Sequence, residues 1–127
     1  MPPLFLDIGR VLRTHRSLIE RYGGEEGVRD VGLLHSSIAM PQASFGGEFP
    51  HKDLFEMAAA YLYHIVQNHP FVDGNKRTAA ASAIIFLVMN GVEIEADEEG
   101  LVALTLAVAR GEVRKSEIAV FFRQRAH

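Results

Sequence analysis

Apolar residues at Ile8, Val11, Leu12, Leu18, Ile19 and Tyr22 recur at roughly helical spacing, with Asp7 placed to cap the start and Gly23-Gly24 to end the run. A glycine-rich loop follows. Asp30 then opens a shorter helix carrying Val31, Leu33, Leu34 and Ile38, which Pro41 ends. From Asp53 to Asn68 the chain is apolar almost all round (Leu54, Phe55, Met57, the alanines 58 to 60, Leu62, Ile65, Val66), the pattern of a helix buried on every face. Thr78 to Met89 has the same character and stops at Asn90-Gly91. These two segments form the expected central pair, their alanines permitting close approach. Val92 to Ala96 alternates as a short extended turn. Asp97 starts a fifth helix with Leu101, Leu104, Thr105 and Val108, closed by Gly111. A sixth begins near Ser116 and points Ile118, Phe121 and Phe122 inward. The pattern predicts an all-α, single compact domain of about six helices over residues 1–127, with no repeat, linker or low-complexity segment.

Composition narrows the class. At 127 residues, 48% hydrophobic and 23% charged, the chain has globular composition and length enough for its own core. A net charge of −3 argues against a nucleic-acid or anionic-membrane partner. The lack of cysteine excludes disulfides and thiolate chemistry and suits a cytoplasmic address. MPPLFLDIGR does not read as a signal peptide, and the most apolar run, Ala79 to Val88, is shorter than the roughly 18 residues of a membrane span.

The candidate chemistry lies between the two apolar segments, in His69-Pro-Phe-Val-Asp-Gly-Asn-Lys-Arg-Thr78. Gly74, Asn75, Lys76 and Arg77 lead into a helix whose first N–H groups are unpaired and carry partial positive charge, so the segment reads as a phosphate site. His69 is placed as a base beside it and Asp73 as a metal ligand. The competing reading is a capped turn, with His69 as C-cap, Asp73 as N-cap and the basic groups in water. Two cations in a first turn oppose the helix dipole, however, and an arriving anion relieves that conflict. A second candidate is the irregular stretch from Gln42 to His51, in which Ser44, Phe45, Gly46, Gly47, Glu48 and Phe49 read as a target-binding flap over the loop or as a connector. His15, His35 and His51 read as surface groups and His64 as a packing residue. The acidic residues Glu93, Glu95, Asp97, Glu98 and Glu99 read as loop decoration that complements a helix start, and the basic C-terminal part as a solvated face.

The loop resembles the signature of the Fic/Doc family, H-x-F-x-[D/E]-G-N-[G/K]-R, at every position. Tyr22-Gly23-Gly24 and Asp53-Leu54-Phe55-Glu56 extend the resemblance to the Doc, or death-on-curing, branch over most of the chain. The resemblance implies a six-helix fold and a toxin of a toxin–antitoxin pair that transfers part of a nucleoside triphosphate, with Mg²⁺, to a hydroxyl of a protein. It gives His69 the proton of the attacking hydroxyl, Phe71 the anchoring of the loop, Asp73 the metal, and Gly74, Asn75, Lys76 and Arg77 the phosphates. AMP-transferring members carry a second arginine where this chain has Ala80, and commonly glycine where it has Lys76. Both differences resemble Doc, whose chemistry is transfer of the γ-phosphate of ATP to elongation factor Tu, although Gly74 matches the AMP-transferring members. Protein adenylylation and a non-catalytic nucleotide- or partner-binding module stand as the alternatives. The inhibitory pattern [S/T]-x-x-x-E-[G/N] is approximated only by Ser44…Glu48, so control by an antitoxin in trans is expected.

Overall fold

Aspartates set most of the helix starts. In the computed structural model, which describes residues 2–43 and 53–127, the helices are α1 (Ile8–Tyr22), α2 (Val31–Ala39), α3 (Leu54–Asn68), α4 (Asn75–Met89), α5 (Glu98–Ala109) and α6 (Lys115–Arg125). Asp7, Asp30, Asp53 and Asp97 accept the N–H groups of Arg10, Leu33, Glu56 and Gly100, satisfying donors that a helix start leaves orphaned. At α6 the Glu117 carboxylate accepts the Arg114 N–H instead. The start of α4 has no side-chain cap; Gly74 occupies the cap position in the left-handed region.

The core is built around α3, which packs most extensively against α4 and α6. Ala58, Ala59 and Ala60 of α3 and Ala79 and Ala83 of α4 have no exposure, so small side chains line the middle of the fold and let the helix axes approach. Larger groups close around them: Tyr61, Leu62 and Ile65 from α3, Phe86 and Leu87 from α4, and Ile118 and Phe122 from α6. The Tyr61 hydroxyl accepts the Leu6 N–H at 2.9 Å, and burial pushes its pKa up to about 12. Past α4, Ile94 pairs with Ala126: Glu95 donates to the Arg125 carbonyl and His127 to that of Glu93. The short extended turn is thus tied to the end of the chain.

The all-α, six-helix fold agrees with the sequence pattern, and the departures are local. The helical path does not stop at Pro41; it tightens into a 3-10 turn, Met40–Gln42, which needs no N–H from the proline. Helix α4 starts at Asn75 rather than Thr78, because Gly74 takes a left-handed conformation and the next three residues already turn helically. On α1 the buried stripe is Val11, His15 and Ile19, spaced by four; Leu12 and Tyr22 face outward, and His15, expected at the surface, is buried. Arg125 is more than a solvated charge, since it bonds Asp97 at 2.8 Å and lies 3.7 Å over the Phe121 ring. The flap residues Ser44, Phe45, Gly46, Gly47, Glu48 and Phe49 lie outside the described residues. No helix among the described residues is long and apolar enough to cross a membrane.

Filling the small-residue seam should be costly. Ala83→Leu is expected to lower stability by about 1–3 kcal/mol through overpacking, read as a drop in the thermal midpoint. An unchanged midpoint would mean that the seam has room to spare.

Candidate active site

The loop between α3 and α4 is folded by its own letters. His69 ends α3 in the left-handed region (φ 50°, ψ 55°), and among the described residues it is the one non-glycine with positive φ. Such a conformation costs an L-residue about 1–2 kcal/mol, so the neighbours must hold it. Phe71 is buried without exposure two residues on, and burying a phenylalanine ring contributes roughly 1.5–3 kcal/mol. Asn75, only 4% exposed, closes the loop across its neck. Its Oδ1 accepts the Phe71 N–H at 2.9 Å and its Nδ2 donates to the Phe71 carbonyl at 3.0 Å. That pair of bonds fixes the amide orientation, because exchanging oxygen and nitrogen would oppose donor to donor and acceptor to acceptor. The remaining Nδ2 hydrogen faces His69 Nδ1 at 3.2 Å.

A second layer comes from the segment before α2. The Arg29 guanidinium donates to the carbonyls of His69 (2.7 Å) and Asn68 (2.9 Å), taking up acceptors that the end of α3 leaves open. The backbone N–H groups of Arg29 and Asp30 both donate to the Pro70 carbonyl, Val28 pairs with Phe71, and Val72 N–H bonds Gly27 O. The loop is splinted along its length by residues 27–30.

Asp73 stands exposed at the turn. Its Oδ1 accepts the Gly74 N–H at 2.8 Å and its Oδ2 the Glu25 N–H at 3.2 Å. The Glu25 bond first, and the Gly74 bond second, hold the carboxyl below its ordinary value of 3.8. Gly24, at φ 114°, makes room for it: a Cβ there would lie 2.7 Å from Asp73 Oδ2. Each carboxylate oxygen keeps a further lone pair. Beyond Asp73, the first intrahelical bond of α4 runs from Thr78 N–H to Gly74 O, so the N–H groups of Asn75, Lys76 and Arg77 precede the ladder. Lys76 and Arg77 are exposed and in no ion pair among the described residues; the Arg77 guanidinium lies 4.5 Å over the Tyr22 ring.

Of the residues expected in the loop, His69, Asp73, Lys76 and Arg77 are exposed, whereas Phe71 and Asn75 are buried. Asn75 differs from the expectation, since its amide is consumed inside the loop and only its backbone N–H remains for an anion. Asp73 does not cap α4 through its side chain, and Gly74 takes the cap position. Among the described residues no group of three or more His, Cys, Asp or Glu converges as a metal cage. A Mg²⁺ shared with phosphates needs only one or two protein carboxylates, and an exposed, ionised Asp73 fits that requirement. Sequence reasoning missed Arg29 and His15. Arg29 carried no signal, whereas His15 sits four residues from both Val11 and Ile19 and so lay on the buried stripe.

Known proteins resemble this chain in sequence. A model of the Fic/DOC family matches residues 5–87. Toxin Doc of Mycolicibacterium smegmatis is 50% identical over 76 residues, covering 60% of this chain and 58% of that protein, so the match spans less than two thirds of that relative. Protein kinase doc of Escherichia phage P1 is 40% identical over 109 residues, covering 86% of this chain and 85% of that protein.

Two outcomes follow from the strained turn and the glycine cradle. His69→Gly should be more stable than His69→Ala by about 1 kcal/mol, because glycine adopts the left-handed conformation freely; denaturant titration of the two variants measures it, and equal midpoints would remove the strain. Gly24→Ala should displace the Asp73 carboxylate from its two N–H donors and raise its titration toward the ordinary value. A depressed carboxyl contributes stability above the ordinary pKa and loses it only as pH falls through the depressed value. The variant should therefore lack that contribution above the ordinary pKa and lose less stability than the parent as pH falls, and a carbon-detected NMR titration of Asp73 reads the shift directly.

Proposed function

The chain belongs to the Fic/DOC family, and on that basis we propose that it is a Doc-like toxin that moves the γ-phosphate of ATP onto a hydroxyl of a protein, elongation factor Tu being the expected target. The observation that carries the reading is the loop itself, which leaves His69, Asp73 and the basic first turn of α4 exposed within nine residues and is braced by bonds from Asn75 and residues 25–30.

In the proposed reaction the target oxygen bonds to the γ-phosphorus, the bridging P–O bond to ADP breaks, and the hydroxyl proton passes to His69. Nε2 is the nitrogen that takes it, since Nδ1 faces Asn75. A base at Nε2 must start with its own proton on Nδ1, and in that tautomer the Asn75 contact has to yield. The ring must then turn away from Asn75, whose buried amide hydrogen loses its acceptor at a cost of about 1–3 kcal/mol, to be set against the roughly 10²–10⁴-fold gain of a placed base. The free N–H groups of 75–77, Lys76 and Arg77 neutralise phosphate charge in a fixed arrangement, which phosphoryl transfer requires more than covalent help. Mg²⁺, held by Asp73 when bound, supplies further charge neutralisation on the phosphates.

Phosphate rather than AMP transfer is supported by Ala80, whose uncharged side chain offers a distal phosphate no grip, and by Lys76, whose exposed ammonium stands at the mouth of the loop. The relatives' names, Toxin Doc and Protein kinase doc, support the toxin and kinase readings. On the same reading an antitoxin restrains the protein in trans, and the target is met in the cytoplasm.

Intact-mass analysis of elongation factor Tu incubated with the protein, Mg²⁺ and ATP tests the proposal. One added phosphate is the expected product, and His69→Ala should lower its rate by about 10²–10⁴-fold while nucleotide binding persists. An adduct of one AMP would replace the kinase reading with adenylylation. An unmodified target, with nucleotide still bound, would leave a binding module.

A further inference from the structure

Among the described residues His15 is the one buried histidine, 5% exposed, and the proposed reaction does not use it. Its ring lies flat on that of Phe71, with centroids 3.8 Å apart and planes 6° from parallel. Its Nε2 is 2.8 Å from the backbone carbonyl oxygen of Asp73. A carbonyl oxygen only accepts, so Nε2 carries a proton and donates it. The same ring edge floors Gly74, where an added Cβ would meet Cδ2 and Nε2 at 3.6 Å. One imidazole on α1 therefore touches Phe71, Asp73 and Gly74, 56 to 59 positions along the chain.

The Asp73 carbonyl and the Gly74 N–H belong to one rigid peptide plane. His15 holds the oxygen end of that plane, and the Gly74 N–H at the other end donates to Asp73 Oδ1. Rotation of the plane would break both bonds together. We propose that His15 is a positioning residue: through the Asp73–Gly74 peptide it sets the direction of the Asp73 carboxylate, and with it the metal-dependent part of nucleotide binding. Stacking on Phe71 alone needs only an aromatic ring. A histidine adds the donor, and the donor is the functional part. This deepens the reading of Asp73 as the metal-bearing carboxylate and rests on it.

The test separates ring from donor. His15→Phe keeps an aromatic ring and removes the N–H; His15→Gln gives up the ring and restores an N–H of similar reach. On the protein without nucleotide, a nitrogen-15 imidazole spectrum should show a proton on His15 Nε2. Hydrogen exchange at the Gly74 amide should quicken in His15→Phe and slow again in His15→Gln. Calorimetry with ATP, with and without Mg²⁺, should then show His15→Phe binding metal-free ATP as the parent does. The tightening given by Mg²⁺ should fall by about 10-fold or more, the range seen when a group that orients a metal ligand is removed. His15→Gln should recover most of that tightening even if its melting temperature is lower. Effects that follow melting temperature instead of the donor would make His15 a packing residue and overturn the proposal, as would an unprotonated Nε2 or an unchanged Mg²⁺ response in His15→Phe. If the parent itself shows no Mg²⁺-dependent binding, the functional reading fails, and the imidazole spectrum and Gly74 exchange still decide whether His15 holds the peptide.

Discussion

The double hydrogen bond between the Asn75 amide and the backbone of Phe71 is the constraint on which the loop depends. It closes a ring of five residues at the point where α3 hands over to α4. Because Phe71 is locked in the core on one side and Asn75 begins a helix on the other, the path of the residues between them is narrow. Within it Gly74 takes the left-handed step that starts α4, and Asp73 stands outside the core, its carboxylate held by the Glu25 and Gly74 N–H groups. The Arg29 guanidinium and the Pro70 bonds then remove the remaining freedom from behind.

This arrangement divides the signature residues into two kinds. His69, Asp73, Lys76 and Arg77 face solvent and are available to a substrate, whereas Phe71 and Asn75 are consumed in shaping the loop. Gly24 and Gly74 serve by lacking a side chain, one leaving space for a carboxylate and the other allowing a left-handed step into the helix. Exposed charges thus stand on a rigid frame, which suits the proposed phosphoryl transfer, since positioning supplies most of the effect in such reactions.

The helices were legible because their boundaries obey local rules: an aspartate accepts the early N–H groups, glycine or asparagine stops the run, and alanine-rich stretches signal burial. The loop's exposed residues were legible for the same reason, since a glycine followed by cations at a helix start has few other uses. What escaped was the inward turn of Asn75 and the burial of His15. Polar side chains read as solvent-facing unless a partner is known, and these partners are backbone atoms whose placement depends on the whole fold. For His15 the four-residue spacing to Val11 and Ile19 was a usable clue, overridden by the polarity of the residue. Arg29 offered none, because a lone arginine in a glycine-rich stretch has no periodicity to join.

The bonds that shape the loop span long stretches of chain: 58 positions from His15 to Asp73, 48 from Glu25 and 40 from Arg29 to His69. Closing such separations is among the late and entropically expensive events in folding. During synthesis, α1 and the segment that splints the loop emerge first and must wait for residues 69–78 before any of these contacts can form. A nascent or partly unfolded chain therefore carries every letter of the signature without its geometry.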